Sequence, residues 1–238
     1  MKTKEKKTQK RESLSLSQVP GKEGLFIGTK SDGRSYTVRK DRHSYFFPND
    51  WITLMEVMNQ NQKDFFDGLL ISGARIDEWL HVRPKDFSWD RNTLKLYVTK
   101  VKAKKKESKV LGGQSREFNM SSQYIRRIRT YIRRNEIGNE EFLFKFTKQN
   151  AWQLLRRKLK LAGIKDEWKY SLHNIRKTCG MYLKTVQRRG KDLDGDEICM
   201  RLGHDHNTFL KHYGSPSIFT DNQRDQMIKI FGDVYDLK

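Results

Sequence analysis

Six side chains in this sequence are of the types that can break a phosphodiester without a metal: Arg75, Lys100, His173, Arg176, His204 and Tyr213. Two guanidiniums can hold the nonbridging oxygens of a phosphate, because the planar fork of arginine meets two oxygens at once and stays charged near neutrality. A lysine can protonate a departing oxygen, imidazoles can steady the charge of the transition state, and a phenol can attack phosphorus. His173 and Arg176 lie three apart, so on a helix they share a face about 100° round from the apolar pair Leu172 and Ile175. Arg75 follows Gly73 where the pattern predicts a helix start, and fresh backbone N–H groups there favour an anion. Glu78, three residues on, is placed to orient it. Tyr213 taken alone is one more core aromatic, four residues after Phe209, and Gly214-Ser215-Pro216 ends its helix directly.

These residues are far apart in the chain, so the elements between them must bring them together. Asn49 or Asp50 can cap a helix that carries Trp51, Leu54, Met55 and Met58, and a second helical run holds Phe65, Phe66, Leu69 and Leu70 before Gly73. Leu94, Leu96 and Val98 alternate with Thr93, Lys95, Tyr97 and Thr99, the period of a half-buried strand, and a returning strand is expected over residues 116–120. Between them VKAKKKESKVLGGQS forms a tip with little to pack, and its Lys102, Lys104, Lys105 and Lys106 are suited to a DNA backbone.

Three helical stripes follow: Ile125, Ile128 and Ile132; then Trp152, Leu155, Leu159 and Ala162; then Leu172, Ile175, Cys179, Tyr182 and Val186. The opposite faces of the first two carry Arg126 and Arg127, then Arg156 and Arg157, which are further candidates for DNA contact. Upstream, GLFIGT and RSYTVRK flank Ser31-Asp32-Gly33, a hairpin signal. The predicted organisation is a basic flexible arm over 1–20, a short β-hairpin and linker over 21–48, and a main domain over 49–238. Its fold class is mainly α with a small antiparallel β-sheet (α+β).

Composition narrows the partners. Forty-nine Lys and Arg against 29 Asp and Glu give a net charge of +20 over 238 residues. A polyanion is therefore the expected partner, because neutralising phosphates releases counterions. The sequence has no apolar run long enough for a membrane span and no signal-peptide pattern, so neither membrane nor secretion is expected. Cys179 and Cys199 form no disulfide framework and fit a reducing compartment. Cys199, His204, His206 and His212 match no common zinc spacing, and no metal or other cofactor is expected.

The order and contexts of the six residues resemble the tyrosine recombinase family, which includes the phage-type integrases and Xer-type recombinases. The likeness covers roughly residues 49–238 and rests on G-x-R-x-x-E from Gly73, H-x-x-R from His173, and L-G-H followed nine residues on by Tyr213. It implies a catalytic domain in which Tyr213 is the nucleophile and Arg75, Lys100, His173, Arg176 and His204 assist. Family members carry His or Trp at the place of His204, where it hydrogen-bonds the phosphate. They carry the lysine just after the first strand of the pair, which points to Lys100, although Lys102, Lys104, Lys105, Lys106 and Lys109 share its loop.

The implied reaction is site-specific cutting and rejoining of double-stranded DNA through a 3′-phosphotyrosine, in integration or excision of a mobile element, by a homotetramer on two duplexes. A cytoplasmic or nucleoid-associated location goes with it. Ile218, Phe219, Met227, Ile228, Ile230 and Phe231, after Tyr213, would dock on a neighbouring subunit or cap their own domain. One departure stands out: family members usually have a separate helical domain that completes a clamp round the duplex, and here only residues 1–48 precede the main domain. The expectation is a reduced form or part of a longer protein. A type IB topoisomerase-like enzyme and a non-catalytic basic DNA-binding protein are the alternatives.

Overall fold

The segment before Gly73 opens polar, with Gln60, Asn61, Gln62 and Lys63, and turns mostly apolar from Phe65, the stretch that belongs in a core. The computed structural model describes residues 16–29, 32–39, 45–97, 115–186, 195–203, 205–207, 209 and 218–235, in two compact units, Met1–Arg42 and His43–Lys238. In the first unit β1 (Leu16–Gln18), β2 (Leu25–Thr29) and β3 (Ser35–Arg39) form an antiparallel sheet in that order. The expected hairpin is present, but β1 adds a third strand from within the segment read as a flexible arm. Leu16 pairs with Gly28, and Gly28 pairs with Tyr36. A Cβ at Gly28 would come within 2.6 Å of the Tyr36 ring, so only glycine leaves room for that cross-strand neighbour.

The second unit begins ahead of the expected residue 49, since Phe46 is fully buried and stacks on Tyr170. Its first helix, α1 (Pro48–Glu56), starts at Phe47 rather than at Asn49 or Asp50, because Pro48 occupies the first turn, where its missing N–H costs nothing. Helix α2 (Gln60–Ser72) is capped by Asn59 and Gln62 and buries almost every residue from Asp64 onward. It is the central element, packed against α4 (Ser122–Arg134) on one side and α6 (Leu172–Val186) on the other. Gly68 is where α2 meets α4: a Cβ there would overlap the Tyr124 hydroxyl and the Trp79 ring.

Gly73 ends α2 in the left-handed region, with φ 59°. A Cβ there would also lie 2.7 Å from Leu202 and 2.8 Å from the Cys179 sulfur. The chain then runs through the short α3 (Ile76–Trp79) to β4 (Phe87–Ser88), β5 (Thr93–Tyr97) and β6 (Ser115–Asn119), an antiparallel sheet in that order. Leu96 pairs with Arg116 and Leu94 with Phe118, so these four side chains share the inner face. Helices α5 (Lys148–Leu161), α7 (Gly195–Leu202) and α8 (Asp221–Phe231) follow, and short 3-10 turns lie at Pro84–Asp86, Glu167–Lys169 and Gly232–Tyr235. Met227 and Phe231 of α8 and the preceding Phe219 are buried in their own domain, while Ile218 and Ile228 stay exposed. Among the described residues no helix is long and apolar enough to cross a membrane.

Candidate active site

Three chain segments meet where α2 ends. Arg75 sits at the N-cap of α3, and its backbone N–H and Nη1 donate to the two carboxylate oxygens of Glu78, each at 2.8 Å. Glu78 is fully buried, and a second guanidinium reaches it from β6: Nη1 and Nη2 of Arg116 each donate to one of its oxygens. Burial pushes the Glu78 carboxyl up, but Arg116 and then Arg75 outweigh it and hold the group at about 2. The carboxylate is therefore ionised across the physiological range.

From α6 comes Arg176, 1% exposed, which donates from Nη1 to the Gly73 carbonyl at 2.5 Å and from Nη2 to the Leu202 carbonyl. Asn174 caps this helix start by accepting from the Ser171 N–H. Successive carbonyls at the end of α7 thus each meet a different arginine. The Arg201 carbonyl accepts from Arg116 Nε at 2.8 Å, Leu202 from Arg176, and Gly203 from Arg75 Nη2 at 3.3 Å. These orphan carbonyls of the helix end are the groups a cation satisfies best. Beneath them Arg201 donates to the Ile71 carbonyl and lies 4.7 Å from the centre of the Phe118 ring. The buried Cys179 thiol is pushed up to about 11 by its burial, against the pull of Arg201 and Arg176.

Arg75, His173 and Arg176 open on one cavity of about 660 Å³, walled on its far side by Lys148, Gln149 and Trp152 of α5. His173 is exposed at the mouth. Lys148 pairs with Asp77 at 2.9 Å on the rim. Two guanidiniums pair with the Glu78 carboxylate and a third, Arg176, is held by the carbonyls of Gly73 and Leu202, an excess of positive charge suited to an oxyanion of about the size of a phosphate.

Residues 46–217 match the Phage integrase family, most of the length of the chain and the whole of this site. The chain belongs to the phage integrase family. Among solved structures, XerA recombinase matches over 80% of this chain at 17% identity with a TM-score of 0.56. XerH site-specific recombinase bound to difH substrate in a pre-cleavage complex matches over 79% at 18% and 0.56. The Tn1549 transposon integrase in complex with transposon right end DNA matches over 76% at 17% and 0.54. The fold is thus that of tyrosine recombinase catalytic domains. This phage integrase family chain spans 65%, 56% and 63% of those three chains, less than two thirds of each. No curated protein matches the sequence.

Of the six residues singled out in the sequence, the structure brings Arg75, His173 and Arg176 together. Lys100, His204 and Tyr213 lie outside the described residues, as do Lys102, Lys104, Lys105 and Lys106. Arg176 differs from the expected open face: His173 is exposed, whereas Arg176 is buried and bound to the carbonyls of Gly73 and Leu202.

The helix-borne arginines divide. Arg126 and Arg157 are exposed. Arg127, read as a DNA-facing residue, instead grips Asp64 at 2.8 Å and Asp67 at 2.9 Å across the α2–α4 contact, which commits its charge to the buried Asp64. Arg156 is half-buried, donates to the Glu167 carbonyl and lies over the Trp152 ring. Arg116, Lys148 and the placement of Trp152 escaped the sequence reading. A signal for Arg116 was there: it falls on the inward face of its strand, in phase with Phe118.

Proposed function

We propose that this chain is a site-specific DNA strand transferase, cutting and rejoining DNA through a phosphotyrosine. The observation that carries the reading is the convergence of Arg75, His173 and Arg176 on one cavity in which positive charge exceeds negative. A scissile phosphate seated there accepts from Arg75 and Arg176 through its nonbridging oxygens, with His173 at the mouth as a further donor. These donors are fixed before substrate arrives, so stabilising the five-coordinate phosphorus costs little reorganisation.

In this proposal the phenolic oxygen of Tyr213 bonds to phosphorus and gives up its proton while the P–O5′ bond breaks. Lys100 supplies a proton to the departing O5′, and His204 donates to the phosphate. Attack by the same or another 5′-hydroxyl reverses the step, so the energy of the broken bond is kept in the adduct and no ATP is needed. Double-stranded DNA is the partner in this proposal, supported by the Tn1549 integrase, whose solved structure is in complex with transposon right end DNA, and by the charge of +20. Exchange between two duplexes requires two cuts in each, hence a homotetramer in the assembled complex. Arg126, Arg157 and the lysines of residues 98–114 are proposed to contact the backbone.

The test uses nicked suicide duplexes of randomised sequence, in which loss of a short 5′ fragment prevents religation. The protein should form a covalent adduct with a subset of them, and Tyr213→Phe should form none while retaining DNA affinity. Adduct persisting in Tyr213→Phe would overturn the assignment of the nucleophile.

A further inference from the structure

A buried carboxylate beside a phosphate-binding arginine poses an electrostatic problem. An ion pair between Arg75 and Glu78 alone would orient the guanidinium but cancel much of its attraction for an anion. The structure contains the remedy. Arg116 shares Glu78 with Arg75, placing Nη1 and Nη2 on the two carboxylate oxygens and Nε on the Arg201 carbonyl. Its side chain is only 9% exposed and every guanidinium nitrogen donates within the protein. Arg116 is therefore not placed to touch DNA itself. It is the strand neighbour of Leu96, on the inner face of a sheet whose connecting segment, residues 98–114, carries Lys100. Gly203, where α7 ends with φ 60°, lies against it, a Cβ there being 3.5 Å from Arg116 Nη1.

We propose that Arg116 is a positioning residue for strand transfer: it neutralises Glu78 so that Arg75 is oriented without losing its charge to the carboxylate, and it ties that arginine to the end of α7, immediately ahead of His204. The inference rests on the strand-transfer reading of the same site. Lysine cannot substitute fully, since it has no planar fork to span two carboxylate oxygens and a carbonyl at once.

The experiment has two arms, both on the full chain. In the first, which needs no DNA, the Glu78 carboxyl is titrated by carbon-13 NMR, with Glu78→Gln assigning the resonance. In Arg116→Met it should titrate well above its position in the unaltered protein. In the second, adduct formation is followed on the randomised nicked duplexes. Arg116→Met should form adduct about 10- to 100-fold more slowly, the range seen when a supporting partner of a reacting group is removed, with duplex affinity changed far less. The double variant Arg116→Met/Glu78→Gln should be faster than Arg116→Met alone, because deleting the uncompensated charge frees Arg75.

A residue that merely packs the strand gives no such rescue. An unshifted Glu78 titration, or a double variant no faster than the single one, overturns the proposal. If Arg116→Met does not fold, Arg116→Lys is used. It keeps a charge but lacks the fork, so it should raise the Glu78 titration by less, be slower than the unaltered protein, and be faster than itself when combined with Glu78→Gln. Failure of the unaltered protein to form adduct on any duplex would instead sink the strand-transfer reading, and the titration would still decide whether Arg116 holds Glu78.

Discussion

Arg75 keeps 22% of its side chain exposed, whereas Arg176, which lines the same cavity, is only 1% exposed and donates from Nη1 and Nη2 to backbone carbonyls. That difference separates what two substitutions should do. Arg75→Ala removes a phosphate donor while Glu78 keeps Arg116, so adduct formation should lose about 3 kcal/mol of transition-state stabilisation, with stability little changed. Arg176→Ala strands the carbonyls of Gly73 and Leu202 and leaves a hole, so urea unfolding should show a loss of about 2–4 kcal/mol along with the rate. Glu78 predicts a pH dependence. Its carboxyl is held at about 2 in the folded chain against an ordinary 4.5, so the folded state holds its proton less tightly than the unfolded one. The resulting stabilisation, about 3 kcal/mol, is fully present above the ordinary value and is lost as pH falls through it toward about 2. Urea melts of the unaltered protein and Glu78→Gln should therefore differ at pH 7 and converge on acidification. A constant difference would show that Glu78 does not titrate there.

Between α2 and α4 the contact combines a close approach with a buried charge, and each can be broken separately. Gly68→Ala has no space beside Tyr124 and Trp79 and should destabilise by about 1–3 kcal/mol or more through overpacking. Arg127→Ala should cost about 3–5 kcal/mol, because Asp64 is left buried without its partner. Arg157→Ala, on the exposed face of α5, should leave the melting temperature unchanged and weaken DNA binding. The long helices were legible because apolar residues recur at helical spacing: the stripes through Ile125, Leu155 and Ile175 lie inside α4, α5 and α6, save Ala162, which caps the end of α5. β1 and β4 were not, being too short to show a period. Arg127 borders the stripe of Tyr124, Ile128 and Tyr131, where a charged side chain can face either way, so its pairing was not legible in the sequence. In the structure its charge is paired with Asp64 and Asp67, two acids on the largely buried stretch of α2. The three segments carrying Arg75, Arg116 and Arg176 were legible singly, but their meeting depends on Gly73 letting α2, α6 and α7 approach, which no local pattern reveals.

Every member of the large buried cluster lies between Phe46 and Val234. A chain beginning at His43 should therefore unfold in one cooperative transition with a midpoint close to that of the whole protein, as followed by circular dichroism. With a charge of +20, DNA binding should fall steeply as salt rises from low to physiological concentration. A flat dependence would contradict the basic-surface argument. The pairing of β5 with β6 has a further consequence, one of parity. Side chains alternate across a strand, so a single residue inserted within 115–119 would turn Arg116 to solvent and bring Ser115 or Glu117 against Leu96. The strand that carries Arg116 thus tolerates only changes of length that leave this parity intact.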